Sequence, residues 1–354
     1  MIVRLEDVCF AESSSLKQSD LIKVKDGYPV YGASGFIANI DKYQQEKPYV
    51  SIVKDGAGVG RVQLCPGQSS VIGTMQYIIP KENVLPEYLY YVTTYMHLEK
   101  YYTGATIPHI YFKNYKKEKF NLDPIEKQKN IVKILDGYRK IIELRQEQLQ
   151  KYDDLIKSRF VEIFGELSSN PYGWETFTMG ECFDITSSKR ILKSEWRAQG
   201  IPFLRVRDIV QLATTGQMEN EYFVSEEFYK SLSDYDGVPQ RGDILVSATS
   251  TLGKCHVVGE EERYYFKDAD VLRFRAKKKI NPIFFVELMK EHYIEEQISK
   301  TLGITTVAHF TIKAAKNINM RCPDIELQNE FANFVAQVDK SKLMLCRYNV
   351  NVNK

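Results

Sequence analysis

"TGATIPHIYFKNYKKEKFNLDPIEKQKNIVKIL", residues 103–135, aligns with "LGITTVAHFTIKAAKNINMRCPDIELQNEFANFV", residues 302–335, at an offset of about 200. His109 meets His309, Lys113 meets Lys313, Lys116 meets Lys316, Glu126 meets Glu326 and Gln128 meets Gln328. Upstream the order persists although the offset drifts: "DGYPVYG" faces "QGIPFLR", and "LPEYLYYV" faces "INPIFFVE". A unit of nearly half the chain is therefore duplicated in tandem, far longer than a solenoid repeat. Each copy reads as short strands, a small helical stretch, a loop and then a long helix.

The duplication settles the meaning of "VKDGAGVGRV", residues 53–62, which on its own resembles a phosphate-wrapping loop. Its counterpart, "LVSATSTLGKC" (245–255), keeps only Gly60, as Gly253. A dinucleotide fingerprint also needs a helix directly after its glycines, whereas "RVQLC" and "KCHVV" are strand-forming sequences. The glycines are thus expected to turn one strand into the next.

Between the copies, the run bounded by Pro124 and Gly165 holds no internal proline and one internal glycine, Gly137. Alternate steps of four and three from Ile131 reach Leu135, Tyr138, Ile142, Arg145, Leu149, Tyr152, Ile156, Arg159 and Ile163, a mostly apolar seam suited to a helical pair. Pro124 suits the first turn and Gly165 the stop. The second copy starts likewise, with Phe331, Phe334, Val335 and Val338, but offers 24 residues from Phe331 against 35 from Ile131 to Gly165, and places Lys342 in the seam.

At 354 residues two domains are expected, with 44% apolar and 27% charged residues as in an ordinary globular protein. Acidic and basic residues interrupt the N-terminus before a signal peptide could form. Six cysteines without regular spacing argue for a reduced, cytoplasmic protein without zinc ribbons or a disulfide framework. No catalytic constellation survives inspection. "SNPYGW" (169–174) lacks the second proline of an amino-methyltransferase signature and reads as a linker turn. "CPDIELQ" (322–328) lacks the lysine of a nuclease site and reads as a helix start. Cys255-His256 has no partner pair for a metal. A net charge of +2 requires any nucleic-acid partner to meet local basic patches. Such patches recur: Lys113, Lys116, Lys117 and Lys119 in one copy; Lys300, Lys313, Lys316 and Arg321 in the other; and six basic residues within 187–207. Repeated cations beside small polar and aromatic residues suit phosphate contact and base-edge readout.

These segments resemble the specificity subunit of type I restriction-modification systems over essentially the whole chain. The resemblance is carried by "GATIPHI" (104–110) with "PIEKQKNIVKILD" (124–136), by their copies "GITTVAHF" (303–310) and "PDIELQNEFANFV" (323–335), and by "YPVYGASGFI" (28–37) and "GDILVSATSTLGK" (242–254). It implies an α+β fold with two pseudo-symmetric target recognition domains separated by a long antiparallel helical pair. The corresponding boundaries are a first recognition domain at 1–123, a spacer helix at 124–169, a second recognition domain at 170–322 and a C-terminal helix at 323–354. It further implies a non-catalytic subunit that reads double-stranded DNA as a bipartite target, one half per domain. Its helices would dock two methyltransferase subunits carrying S-adenosylmethionine, with restriction subunits using ATP and Mg. A stand-alone DNA methyltransferase and a coiled-coil scaffold without DNA contact are the alternatives.

The expected DNA contacts in the first copy are Lys54, Arg61, Thr106, His109, Lys113, Lys116 and Lys117. In the second they are Arg205, Arg207, Thr249, Lys254, Thr306, His309, Lys313 and Lys316. The expected helix seam comprises Ile131, Leu135, Tyr138, Ile142, Leu149, Tyr152, Ile156 and Ile163 with Phe331, Val335 and Val338.

Overall fold

A computed structural model describes residues 1–22, 24–104, 108–233, 238–301 and 309–350. The chain divides into two compact units, Met1–Leu144 and Arg145–Lys354.

In the first unit, β1 (Ile2–Arg4), α1 (Leu5–Val8), β2 (Cys9–Ser13), β3 (Tyr28–Gly32), β4 (Gly35–Ile40), β5 (Tyr49–Val53), β6 (Val62–Cys65), β7 (Ser70–Val71) and β8 (Met75–Pro80) come first. They are followed by α2 (Pro86–Tyr95), α3 (Phe112–Tyr115), β9 (Lys119–Asn121) and the start of α4 (Ile125–Phe164). An antiparallel sheet of order β2-β8-β5-β6 forms the floor. Beside it β4 and β7 flank β3, antiparallel and parallel respectively, and β1 pairs with β9. Every residue of β5 is buried, as a central strand covered on both faces requires. Its Val50 and Ile52 pack in one core with Leu89 of α2 and Tyr115 of α3, and Val30 of β3 packs with Tyr49 and Val53 in a second.

The second unit repeats this order with β10 (Glu175–Thr178), α5 (Met179–Cys182), β11 (Phe183–Thr186), β12 (Ile201–Leu204), α6 (Val206–Thr215), β13 (Phe223–Val224), α7 (Glu226–Ser233), β14 (Ile244–Ser247) and β15 (Cys255–Val257). Next come β16 (Tyr265–Phe266), β17 (Val271–Ala276), α8 (Pro282–Leu288), α9 (His292–Thr301), α10 (Ile312–Lys316), β18 (Asn319–Cys322) and α11 (Ile325–Val350). The sheet β11-β17-β14-β15 copies β2-β8-β5-β6, the triplet β13-β12-β16 copies β4-β3-β7 with the same mixed sense, and β10-β18 copies β1-β9. Helices α6 and α7 are additions of the second copy.

α4 is 40 residues long, about 60 Å at 1.5 Å per residue. It begins against the first core, where Ile131 and Val132 pack, and Gly165 ends it with φ +75°. Its last turns belong to the second unit and run antiparallel to α11: Arg159 pairs with Glu330 at 2.8 Å and Asp153 with Lys342 at 2.7 Å. Lys342, out of place in an apolar seam, is thereby held by Asp153 and Asp339.

Two parts of the expected seam need correction. Towards its C-terminus the buried positions are Ile156, Phe160 and Phe164, with Tyr152 and Ile163 only partly covered and Arg159 on the flank. A straight α-helix drifts about 20° per heptad against a strict seven-residue repeat, so four heptads after Ile131 the buried face lies nearly one residue later. Phe160 and Phe164 meet Phe284 of α8 and Phe331 of α11, with ring centroids 4.9–5.8 Å apart. Further up the helix, Tyr138 and Ile142 are exposed along with Ile134, Ile141 and Leu144. Tyr91 of α2 reaches Asp136 at 2.6 Å within this stretch, but these five apolar side chains stay exposed. Of the remaining positions, Leu135 and Leu149 are half-buried, and Phe331, Val335 and Val338 are buried as expected.

Candidate nucleic-acid interface

In the first unit β5 leaves the sheet at Val53, turns through Lys54–Arg61 and returns as β6. Gly60 makes the turn possible: its φ is +86°, its amide donates to Val53 O at 2.9 Å, and a Cβ there would lie 2.5 Å from the Glu99 backbone nitrogen. The segment from Pro108 to Ile110 lies along the turn. Gly56 N donates to Pro108 O and Ile110 N to Lys54 O, both at 2.9 Å, and Asp55 bridges to His109.

The second unit builds the same device. Gly253, with φ +73°, donates to Ser247 O at 2.9 Å; Phe310 N donates to Ala248 O at 2.8 Å; and Thr249 bridges to His309. The glycines are thus turn residues in both copies, as the strand-forming flanks require.

On the first platform the Asp55 carboxylate pairs with His109 Nδ1. The Tyr111 ring lies 3.9 Å from the His109 ring, and Lys113 Nζ stands 4.9 Å from the Tyr111 centroid. Lys113 and Lys117 are exposed and form no ion pair among the described residues. Arg61 is exposed and donates to Ala33 O at 2.9 Å, while Lys54 is half-buried. Lys116, by contrast, is 2.7 Å from Glu6 and holds that carboxyl below its ordinary range through their hydrogen bond. In this copy Lys116 therefore shares its charge with an acid. The counterpart of Glu6 is Gly180, so Lys316 has no such acid and stands exposed.

On the second platform His309, Thr311 and Lys313 border a cleft of about 460 Å³ with Ser187, Ser188 and Asp268. Thr311 Oγ1 accepts from Ala314 N at 3.1 Å and caps α10, which carries Lys313 and Lys316. Lys254 is exposed at the end of the turn. Arg205 and Arg207 stand among acids. Glu221 lies 3.3 Å from Arg205 and 3.2 Å from Arg207, the fully buried Asp208 lies 3.5 and 3.6 Å from them, and Arg205 also stacks 4.3 Å from Tyr222. Asp208 accepts from Arg205 N at 2.9 Å at the start of α6, so these charges are already matched within the fold. Thr106 and Thr306 lie outside the described residues.

Sequence reading missed two contributors. Tyr111 and Asp55 complete the His109 platform, but an isolated Asp or Tyr gave no pattern to notice. Gln128 and Gln328 were aligned without a role. Both are buried: Gln128 Oε1 accepts from Leu85 N at 2.9 Å, and Gln328 Oε1 from Asn281 N at 2.9 Å. Their amide groups donate to Asp123 O and Pro323 O, each at 2.8 Å. Each glutamine thus clamps the entry of a long helix to the entry of α2 or α8. Among the described residues no cluster could hold a metal, and no helix is long and apolar enough to cross a membrane.

The family model of the type I restriction modification DNA specificity domain matches residues 1–151 and 171–349. A putative type I restriction enzyme specificity subunit of Haemophilus influenzae is 24% identical over 270 residues, 71% of this chain and 65% of that relative. The MjaVIII specificity subunit of Methanocaldococcus jannaschii is 24% identical over 317 residues, 82% of this chain and 72% of the relative. Among solved structures, the S subunit of a type I restriction-modification system from M. genitalium superposes with a TM-score of 0.60 at 16% identity, covering 100% of this chain and 92% of that one. A chain from a structural study of complex assembly in the type I R-M system gives 0.53 at 18%, covering 99% and 93%. The fold is thus shared with these two solved structures. The chain belongs to the type I restriction-modification DNA specificity family, as a specificity subunit.

Proposed function

We propose that each unit reads one half of a bipartite double-stranded DNA target and that the chain itself catalyses nothing. The observation that carries this reading is the paired turn built twice with the same hydrogen bonds, Ile110 to Lys54 and Phe310 to Ala248. Each turn is flanked by exposed lysines that form no ion pair among the described residues: Lys113 and Lys117 in one copy, Lys254, Lys313 and Lys316 in the other. Side chains differ between the copies, Asp55 against Thr249 and Tyr111 against Thr311, so the two units present different chemistry to base edges.

The exposed Ile134, Tyr138, Ile141, Ile142 and Leu144 on α4 support docking of methyltransferase subunits along the long helices. Methyl transfer then draws on S-adenosylmethionine bound by those partners, and cleavage on ATP and Mg in a restriction subunit.

The test is DNA retention by the complex with its methyltransferase over a salt series. Lys113→Ala and Lys313→Ala should each weaken binding on all sequences and reduce the salt slope by about one, the signature of a lost phosphate contact. Unchanged affinity and slope in both variants would remove the platforms from the interface.

A further inference from the structure

Cys182 and Cys322 are 140 residues apart in sequence, yet their sulfurs lie 3.8 Å apart. Cys182 ends α5 and is fully buried, whereas Cys322 ends β18, one residue before Pro323 and the entry of α11, and is partly exposed. The first unit shows what this position demands of packing. There α1 ends at Val8 as α5 ends at Cys182, and Leu122 follows β9 where Cys322 closes β18. Val8 and Leu122 are buried in one apolar cluster. Two aliphatic side chains therefore satisfy the fold, and the second copy carries a thiol at both positions at once. Cys9, Cys65 and Cys255 are buried, and burial pushes the thiols of Cys9 and Cys255 up to about 12. Cys182 differs: the hydrogen bond from Cys322 and, after burial, the charge of Lys278 bring it below the ordinary thiol value, while Cys322 is raised as the donor.

We propose that Cys182 and Cys322 are an oxidisable dithiol, a modification site at which hydrogen peroxide closes a cystine across the entry of α11. Cys182 first ionises, releasing its proton to solvent; the partly exposed Cys322 then passes its proton to the Cys182 thiolate and attacks one peroxide oxygen. The O–O bond breaks, Cys322 becomes a sulfenic acid, and the departing hydroxide takes up the proton from Cys182 to leave as water. The Cys182 thiolate then attacks the Cys322 sulfur; the S–O bond breaks, the S–S bond forms, and the released hydroxide is protonated to a second water by the solvent proton that balances the initial ionisation. Two thiols lose two electrons, and one peroxide becomes two waters. The sulfurs have to close from 3.8 Å to about 2 Å. The product joins the two ends of nearly the whole second module and restricts its unfolded ensemble.

The experiment treats the full chain with hydrogen peroxide and maps peptides without reduction. A linked peptide holding Cys182 and Cys322 is expected, together with a melting temperature raised by several degrees and returned by reductant. The double variant C182V/C322L, which restores the residues of the first unit, should fold and show neither effect. Oxidation of Cys322 to a sulfinic acid without the link, or an oxidised chain that melts with the reduced one, would overturn the proposal.

Discussion

Replacing Gln128 or Gln328 by methionine isolates the polar clamp at the long-helix entries, because the side-chain volume is nearly kept while the amide is lost. In the first unit the substitution leaves Leu85 N and Asp123 O without the partners they hold at 2.9 and 2.8 Å, and Asn83 O without its 3.0 Å bond. Asn83 is exposed, and water replaces Gln128 there. In the second unit Asn281 N and Pro323 O lose partners at 2.9 and 2.8 Å, and Pro323 is buried. With about 1–3 kcal/mol for each shielded group left unsatisfied, and with water partly reaching the half-buried Leu85, Asp123 and Asn281, each variant should cost about 2–4 kcal/mol. That raises the open population of the affected entry by about 30-fold to 1000-fold. Hydrogen exchange on the full chain reads this locally: Gln128→Met should unprotect amides around Leu85 and the first turns of α4, and Gln328→Met those around Asn281 and α11. Because the clamps lie in separate units, neither variant should spread to the other entry. A loss below about 0.5 kcal/mol in both would refute the clamp.

Two further outcomes follow from the structure. Burial raises the Glu291 carboxyl above its ordinary value of 4.5. Below that value both states are protonated; above it the unfolded chain ionises first, so stability falls as pH rises until the folded group ionises too. Glu291→Gln should therefore be more stable than the parent at neutral pH, with the two melting curves converging in acid; parallel curves across pH would contradict this. Inserting one heptad into the exposed 134–144 stretch lengthens α4 by about 10 Å, or about three base pairs of B-DNA. If α4 sets the unread spacer, methylome sequencing should show a longer spacer, or lost methylation where the added rotation prevents binding, with half-sites unchanged; full activity on the original spacer would show that α4 is not the ruler.

Much of this architecture was legible because duplication doubles every local signal. Gly60 alone is one glycine among three, but paired with Gly253 it marks the left-handed position that both turns share, whereas Gly56, left-handed at φ +93°, has no glycine counterpart. Pro124 and Gly165 marked the start and stop of α4 to within a residue, because propensity and stop signals are local, although the spacer boundary drawn at 169 runs five residues past Phe164. The seam was less legible: a strict heptad count ignores the drift of a straight helix, so it chose Arg159 and Ile163 where Phe160 and Phe164 are buried. The interface was only partly readable. Charge counting treats every cation alike, whereas the fold gives Arg205 and Arg207 to Asp208 and Glu221, and Lys116 to Glu6. Those assignments depend on long-range placement: the reach from Glu6 to Lys116 spans almost the entire first module.

The central claim is that the two units read independently. Replacing residues 170–322 with the equivalent segment of a relative of different specificity, and sequencing the methylome made by the reconstituted complex, tests it most directly. The expected result is a target in which one half-site changes to that of the relative while the other half-site and the spacer stay as they were. Alteration of both half-sites would contradict the account.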